Sequence, residues 1–224
     1  IADKDLRAKA ANDRLSRQII AAALVSISKY QYRSCYKSTD LEAWINSLED
    51  AKLPKGIEGA DQLAWAAYDR AEFTLAKRCI ALCDPAWPYA QWVKSKLNLR
   101  DGNISAAIET LTAITQTMPE DEWAYDSGER VDTRSNVWAE IGALELGRGD
   151  FVTAFSAFLR SRRHSEIAYM IERVLDTDEI EAILAGKLRG KLEIQTTVAL
   201  DGEKDEAKKF VIQLLARRFA RQAD

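Results

Sequence analysis

Apolar residues recur at intervals of three and four positions along most of this chain, which is the pattern of helices that bury one side. The first such pattern runs from Leu6 to about Tyr32, and its apolar stripe includes Leu15 and Ile19. It predicts one long amphipathic helix at the start of the chain.

A second helix is predicted from Thr39 to about Ala51. Thr39 and Glu42 have the spacing of a capping box, in which a hydroxyl and a carboxylate each accept a hydrogen bond from a free backbone amide of the first turn. The residues expected to face inward are Leu41, Trp44, Ile45 and Leu48.

From Gly59 onward, helical segments of similar length alternate with short joints, and three passes share one spacing. In each pass a small residue on the first helix is followed twelve positions later by an alanine on the second. Small side chains are needed where two helices cross closely, so each pass is predicted to be a helical hairpin. The pairs are Ala64 with Ala76, Ser95 with Ala107, and Gly142 with Ala154.

These passes resemble the tetratricopeptide repeat, whose pattern is Trp, then Leu-Gly, then Tyr on a first helix, and Ala, then Phe, then Pro on and after a second. The third pass matches best, with Trp138, Ile141, Gly142, Ala154 and Phe158. Elsewhere the pattern is degenerate, since the first two passes lack the Trp in its place. The resemblance implies an all-α, right-handed superhelix of antiparallel helix hairpins, with ligands, commonly extended peptides, on its concave face.

The spacing also predicts how the chain is divided. We expect an N-terminal helical segment in 1–56, tetratricopeptide-like repeats in 57–175, and C-terminal helices in 176–224 that begin a further, truncated repeat. The alanines of the first two passes are 31 positions apart and those of the last two are 47 apart, against 34 in an ideal unit. The excess is an acidic insertion at 120–133, which is predicted to be a solvated loop.

The resemblance also yields candidate residues for binding a partner. Aromatic rings beside cations suit a peptide that carries apolar anchors and a carboxylate. The alternative is that these aromatics pack against the preceding helix. In the acidic insertion, Trp123 and Tyr125 are further candidates, for a basic partner. By position in the repeat, the concave face would include Trp65, Tyr68, Asp69, Trp92, Lys96, Leu99 and Arg100.

Composition narrows the partner classes. Lys plus Arg is 32 and Asp plus Glu is 35, so the net charge of −3 gives no general attraction to nucleic acid. No apolar stretch reaches the length of a membrane span, so direct membrane insertion is not expected. The chain begins at Ile1 without an initiator Met, and we expect it to be a piece of a longer protein whose localisation the sequence leaves open.

Few residues carry candidate chemistry. His164 follows Arg160, Arg162 and Arg163 at a predicted helix end, where the alternatives are a contact to phosphate or an acidic peptide and a solvated terminus. Cys79 and Cys83 lie four apart, a spacing that allows a metal or redox pair but favours small buried residues. No motif indicates a catalytic residue, a metal or a cofactor.

Two features near the C-terminus complete the pattern. Asp176 and Glu179 have capping-box spacing and predict a helix from Glu179 to Ala185. Residues 191–200 alternate between apolar and polar positions, as a strand would.

The function that this sequence favours is a scaffold or adaptor that binds a protein or peptide segment. The alternative is a helical accessory domain of a larger enzyme or envelope-assembly machine.

Overall fold

A computed structural model describes residues 3–29, 38–118, 123–126, 129–184 and 206–222. The described residues are helical apart from one β-hairpin, which confirms the predicted helical class. The predicted strand at 191–200 lies outside the described residues. The elements are α1 (Lys4–Asn12), α2 (Arg14–Lys29), α3 (Ser38–Asp50), α4 (Ala60–Asp69), α5 (Phe73–Leu82), α6 (Pro88–Arg100), α7 (Ile104–Ile114), β1 (Trp123–Asp126), β2 (Glu129–Asp132), α8 (Thr133–Gly147), α9 (Phe151–Ser161), α10 (His164–Tyr169) with a π-helical turn (Met170–Val174), α11 (Thr177–Leu184) and α12 (Glu206–Gln222).

The chain divides into two compact units, Ile1–Thr110 and Leu111–Asp224. The division falls within α7, not at the predicted boundaries near residues 56 and 175. The three-part organisation expected from the sequence therefore stays a prediction.

The long first helix predicted from Leu6 is wrong, because the chain breaks at Asp13. This residue is extended, with φ −103° and ψ 124°, and it ends α1. Its Oδ2 accepts a hydrogen bond of 2.8 Å from the backbone N–H of Ser16, so the same carboxylate caps α2. Aspartate favours this position because it competes for backbone amides at a helix start.

The side of α2 that is buried also differs from the apolar stripe in the sequence. Leu15 and Ile19 are 63% and 59% exposed, whereas Ala21 and Leu24 are buried. Ala21 lies so close to Gly59 that a Cβ on this glycine would be 2.3 Å from the Cβ of the alanine. Where α2 approaches the start of α4, the side of α2 that faces α4 must therefore carry a small residue.

The core of the first unit includes the face of α3 that the sequence predicts. Leu41, Trp44, Ile45 and Leu48 are buried, and they belong to one cluster with apolar residues of α4, α5 and α6. The helix begins at Ser38, one residue before the predicted cap.

Three turns between paired helices have the same backbone geometry. Ala71, Gly102 and Gly149 have φ of +60°, +82° and +79°. Each stands seven positions after the small residue of its pass and five before the alanine. In each turn the following residue donates its N–H to a carbonyl five positions back, as in a Schellman motif. The donors and acceptors are Glu72 and Ala67, Asn103 and Asn98, and Asp150 and Glu145, at 2.9, 2.8 and 3.0 Å.

In the second unit, α8 and α9 pack as an antiparallel hairpin. Gly142 of α8 is buried against Phe158 of α9, and Ala154 is fully buried. Beyond α9, the helix α10 continues into the π-helical turn Met170–Val174.

The predicted capping box before α11 is confirmed. The N–H of Glu179 donates to Oδ1 of Asp176 at 2.7 Å, and the N–H of Asp176 donates to Oε2 of Glu179 at 3.0 Å. The helix begins at Thr177, two residues before the predicted start.

The acidic insertion was expected to be a loop, but part of it forms an antiparallel β-hairpin. Trp123 pairs with Asp132, and Asp126 pairs with Glu129. Each strand holds a β-favouring residue beside polar ones, and a Ser-Gly pair, a turn-forming sequence, separates the strands along the chain.

The C-terminal helix α12 buries Val211 and Leu214, while Ile212 and Phe219 are exposed. Among the residues that the structure describes, no helix combines the length and the apolar character that crossing a membrane would require.

Candidate partner-binding surface

Four aromatic side chains of α4, α5 and α6 contact one another edge to face, and we call them the aromatic patch. The ring centroids of Trp65 and Trp92 are 5.1 Å apart, at an interplanar angle of 84°. Tyr68 lies 6.3 Å from Trp65 and 5.6 Å from Phe73. Edge-to-face pairs of this kind add about 0.5–1.5 kcal/mol beyond the area that they bury.

Helical spacing places cations beside this patch. Trp92, Lys96 and Arg100 follow one another at intervals of four on α6, so they form one stripe along the helix. On α4, Trp65 and Tyr68 are three apart and share a face. Because α4 packs against α6, the two rows meet.

Both cations lie over aromatic rings. Nζ of Lys96 is 5.6 Å from the ring centroid of Trp65 and 5.7 Å from that of Trp92. Cζ of Arg100 is 4.1 Å from the ring centroid of Phe73. Such contacts contribute about 0.5–1 kcal/mol each at exposed sites. They fix the positions of the charges at the edge of an apolar surface.

The side chains of the aromatic patch and its neighbouring lysine differ in how far they are exposed to solvent. Trp92 is only 7% exposed and packs edge to face against Trp65, so its place on a binding face stays a prediction. Trp65, Tyr68 and Lys96 are partly exposed. The burial of Trp92 follows from its position between α4 and α6.

The remaining predicted residues lie at the margin of the patch or in the other unit. Asp69 is exposed at the end of α4, and Leu99 is partly buried on α6. Trp123 and Tyr125 belong to β1, in the second unit, and their side chains are outside the described part of the structure. Their role in binding stays a prediction.

Sequence reasoning missed Phe73, although the repeat pattern contains a signal for it. Phe73, Ile104 and Phe151 all stand two positions after the residue with positive φ, at the start of a second helix. This recurring apolar position identifies a side chain that lies next to the turn. At Phe73 it is covered by the guanidinium of Arg100.

One polar atom of the patch is buried without compensation. Nε1 of Trp65 has no hydrogen-bond partner among the described residues. A buried N–H without an acceptor costs about 1–3 kcal/mol.

An ion-pair group adjoins the patch at the end of α6. Oδ2 of Asp101 accepts a hydrogen bond of 2.7 Å from Lys77, and its Oδ1 is 3.3 Å from Arg100. The hydrogen bond from Lys77, followed by the nearby charges, lowers the pKa of the Asp101 carboxyl. This carboxylate ties the end of α6 to α5.

The two cysteines of α5 and its end are buried, as predicted. Burial raises the pKa of the Cys79 thiol well above its ordinary value and that of Cys83 to about 12. The thiol of Cys83 donates to the carbonyl oxygen of Cys79 at 3.3 Å. In the described ranges, no three His, Cys, Asp or Glu side chains form a group that could hold a metal ion.

His164 is exposed at the start of α10, with its ring centroid 4.7 Å from that of Phe210. This contact joins α10 to α12. Of the arginines that precede His164, Arg163 donates to Oδ1 of Asn136 and Arg160 lies over the ring of Trp138.

Comparison with protein-family models, with curated proteins and with solved structures finds no match to this chain.

Proposed function

We propose that this protein is a tetratricopeptide-like scaffold or adaptor, and that it binds an acidic peptide or protein segment at the aromatic patch. In this proposal the helix hairpins stack into a right-handed superhelix. The partner contributes an apolar side chain that packs on Trp65 and a carboxylate that pairs with Lys96.

The repeated turns support the proposed fold. Three hairpin turns have the same left-handed residue, the same hydrogen bond across five positions, and the same distances in sequence to a small residue and an alanine. Repeated local geometry of this kind is what a stack of similar hairpins requires, since each unit must present similar faces to its neighbours.

The position of the Lys96 ammonium carries the proposed function. It lies over two indole rings at the edge of a partly exposed apolar surface. A cation that is already held in place loses little side-chain entropy when it pairs with a carboxylate. Large aromatic side chains such as Trp65 and Tyr68 are also among the residues that contribute most at protein interfaces.

A peptide library displayed on phage tests this proposal. The protein is used to select binding peptides, and their affinities are measured by fluorescence anisotropy. We expect selection of peptides that combine a bulky apolar residue with Asp or Glu. Lys96→Met keeps the apolar stem and removes the charge, so it should weaken binding about tenfold, the effect of losing one charge-assisted hydrogen bond.

Lys94→Met is the matched control, because Lys94 is exposed on the same helix and lies outside the stripe. Replacing the acidic residue of the peptide by its amide should have no further effect on the Lys96→Met variant. Selected peptides that bind wild type, Lys96→Met and Trp65→Leu with equal affinity would show that the patch only packs α4 against α6.

A further inference from the structure

The exposed side of α2 carries a row of uncharged residues, which we call the α2 seam. Leu15 and Ile19 are 63% and 59% exposed, and the two smaller members of the row are exposed as well. At 3.6 residues per turn, spacings of four, three and four keep the row within an arc of about 60°. The buried side of the helix, with Ala21 and Leu24, lies opposite. The α2 seam consists of Leu15, Ile19, Ala22 and Ser26.

The α2 seam is ordered by size along the helix. Its large side chains, Leu15 and Ile19, occupy the N-terminal half, and its small ones, Ala22 and Ser26, occupy the C-terminal half. The spacing is that of a coiled-coil seam. If this helix packs antiparallel to a copy of itself, every layer joins a large side chain to a small one. Leu15 then faces Ser26 of the second copy, and Ile19 faces Ala22 of the second copy.

This order of sizes distinguishes between the two ways of pairing. Layers that each join a large and a small side chain have similar volumes, so two antiparallel helices can pack without voids. A parallel pair would place two layers of large side chains beside two layers of small ones. The helices would then be held apart at one end and leave gaps at the other, which loses packing contacts.

The charges of α2 also favour a second copy over a charged partner. The helix contains no Asp or Glu, and both of its arginines pair with Glu58, at 3.1 and 2.7 Å. Gln18 and Ala23, which flank the α2 seam, are exposed and uncharged. A two-fold axis brings each flank next to the same flank of the other copy, where like charges would repel. An acidic or basic partner would find no opposite charge on the seam or these flanks.

We propose that α2 is a self-association surface, at which the α2 seams of two copies of this chain pack antiparallel around a two-fold axis. The seam is about 17 Å long, from Leu15 to Ser26. A contact of this length belongs to the small interfaces, below about 1,200 Å², which form weak and transient complexes. The proposal concerns α2 and does not depend on the function proposed for the aromatic patch.

Sedimentation equilibrium of the full chain measures this association. The runs extend to a protein concentration of about 1 mM, because interfaces of this size give weak affinities. We expect a monomer–dimer equilibrium, since a contact with two-fold symmetry closes on itself. Raising NaCl from about 50 mM to about 500 mM should change the dissociation constant less than about twofold, because no charges meet across the seam. A chain that stays monomeric at about 1 mM would overturn the proposal.

Ala22→Ile separates layered pairing from non-specific apolar association. The substitution enlarges the exposed apolar surface, so a non-specific contact should become stronger. In the antiparallel pair, the added isoleucine would meet Ile19 of the second copy and overfill the layer. Dimerisation should therefore weaken about tenfold. Stronger association of Ala22→Ile than of wild type would overturn the proposal.

Exchanging the two sizes should restore the contact. Ile19→Ala alone leaves two small side chains in one layer and should also weaken dimerisation about tenfold. The combination of Ile19→Ala with Ala22→Ile again joins a large and a small side chain, and should return the dissociation constant to within about threefold of wild type. A combination that is as weak as either single variant would contradict the antiparallel pairing.

Ile212→Ala is the matched control, because it removes an isoleucine that is 53% exposed on α12, in the other unit. It should leave the dissociation constant unchanged. Since all the substituted side chains are exposed, every variant should have the circular dichroism spectrum of wild type. Dimerisation that Ile212→Ala weakens as much as Ile19→Ala does would show that the copies associate through another surface.

Discussion

The ring of Phe158 occupies the space that a side chain at Gly142 would need. A Cβ on Gly142 would lie 2.7 Å from Cε1 and 2.8 Å from Cδ1 of this ring, closer than real Cβ atoms approach other atoms. In the third pass, the small residue Gly142 and the large residue Phe158 therefore fit together where α8 crosses α9.

We predict that Gly142→Ala destabilises the protein by about 1–3 kcal/mol, the usual cost of overpacking a close contact. Urea denaturation followed by circular dichroism measures this free energy of unfolding. Gly147→Ala is the control in the same helix, because a Cβ there meets nothing within 4 Å. Alanine is the better helix former, so the control should be neutral or stabilising by up to about 1 kcal/mol. Equal stability of both variants would contradict the close crossing.

The shared backbone geometry of the turns at Ala71, Gly102 and Gly149 leads to a prediction on stability. Ala71 has a positive φ, which costs a side-chain-bearing residue about 1 kcal/mol relative to glycine, although glycine also gains entropy in the unfolded chain. Ala71→Gly should therefore stabilise the protein by a few tenths of a kcal/mol, up to about 1 kcal/mol. Gly102→Ala and Gly149→Ala should each destabilise it by a similar amount, for backbone reasons alone, because a Cβ at either site meets nothing within 4 Å.

Thermal melts of the single variants and of the combination Ala71→Gly with Gly102→Ala measure these effects. The combination should nearly restore the wild-type melting temperature. A Cβ at Gly102 meets nothing within 4 Å, so the effects of the two substitutions should add. A destabilising Ala71→Gly would show that its turn is not equivalent to the others.

Features that depend on local spacing could be predicted from the sequence. The buried face of α3 and the capping box of Asp176 and Glu179 involve residues within one or two helical turns. Both features can therefore be predicted from the local sequence pattern. The close crossing at Gly142 was also predictable, because a glycine in a helix interior is costly unless packing requires it.

The orientation of α2 could not be predicted, because distant residues decide it. Apolar periodicity favours a side with Leu15 and Ile19, yet contacts with residues about 40 positions away bury another side. Gly59 accepts only a small residue, which Ala21 provides, and Glu58 attracts Arg17. These contacts are specific to the tertiary structure and leave no periodic signal.

The aromatic patch was predictable in part. Helical spacing gave the stripe of Trp92, Lys96 and Arg100, since residues four apart share a face. Spacing could not show which member of the stripe is buried, because this depends on how closely α4 approaches α6. Phe73 enters the patch through the turn geometry and not through helical periodicity.

Glu58 supplies a prediction on acid stability. Its Oε2 accepts a hydrogen bond of 2.7 Å from Nε of Arg17, and its Oε1 is 3.1 Å from Nε of Arg14. The hydrogen bond from Arg17, followed by the nearby positive charges, lowers the pKa of the Glu58 carboxyl. A carboxyl whose pKa is lower in the folded state stabilises the protein above its unfolded pKa, and this stabilisation is lost as the pH falls through the folded pKa.

Glu58→Gln should therefore cost about 1 kcal/mol at neutral pH, a value reduced by the partial exposure of the pair. The difference from wild type should shrink as the pH falls through the lowered pKa of the folded Glu58 carboxyl, because the protonated carboxyl is then as neutral as the amide. Urea denaturation of both proteins at a series of pH values measures it. A difference that is the same at neutral and acidic pH would assign the effect to packing instead of charge.

The buried thiols of Cys79 and Cys83 lead to a prediction on reactivity. The thiolate is the reactive form, and burial both raises the pKa of each thiol and blocks access of a reagent. In a Cys35→Ser background, both thiols should resist Ellman's reagent at mildly alkaline pH and react only when the protein unfolds. Adding urea through the unfolding transition should release them together, with a midpoint equal to that seen by circular dichroism.

The same pKa shifts determine how stability changes at alkaline pH. Unfolded thiols ionise near pH 8.5, whereas that of Cys83 ionises at about 12 in the folded state. The folded state then holds protons that the unfolded state releases, so the stability from these thiols is complete below pH 8.5 and falls as the pH rises toward 12. Replacing both cysteines by alanine should flatten this decline of the unfolding free energy, measured in denaturation curves from neutral to alkaline pH.

The labelling experiment also has an outcome that would contradict the prediction on reactivity. Rapid labelling of either cysteine in the folded Cys35→Ser protein would show that the end of α5 opens without global unfolding.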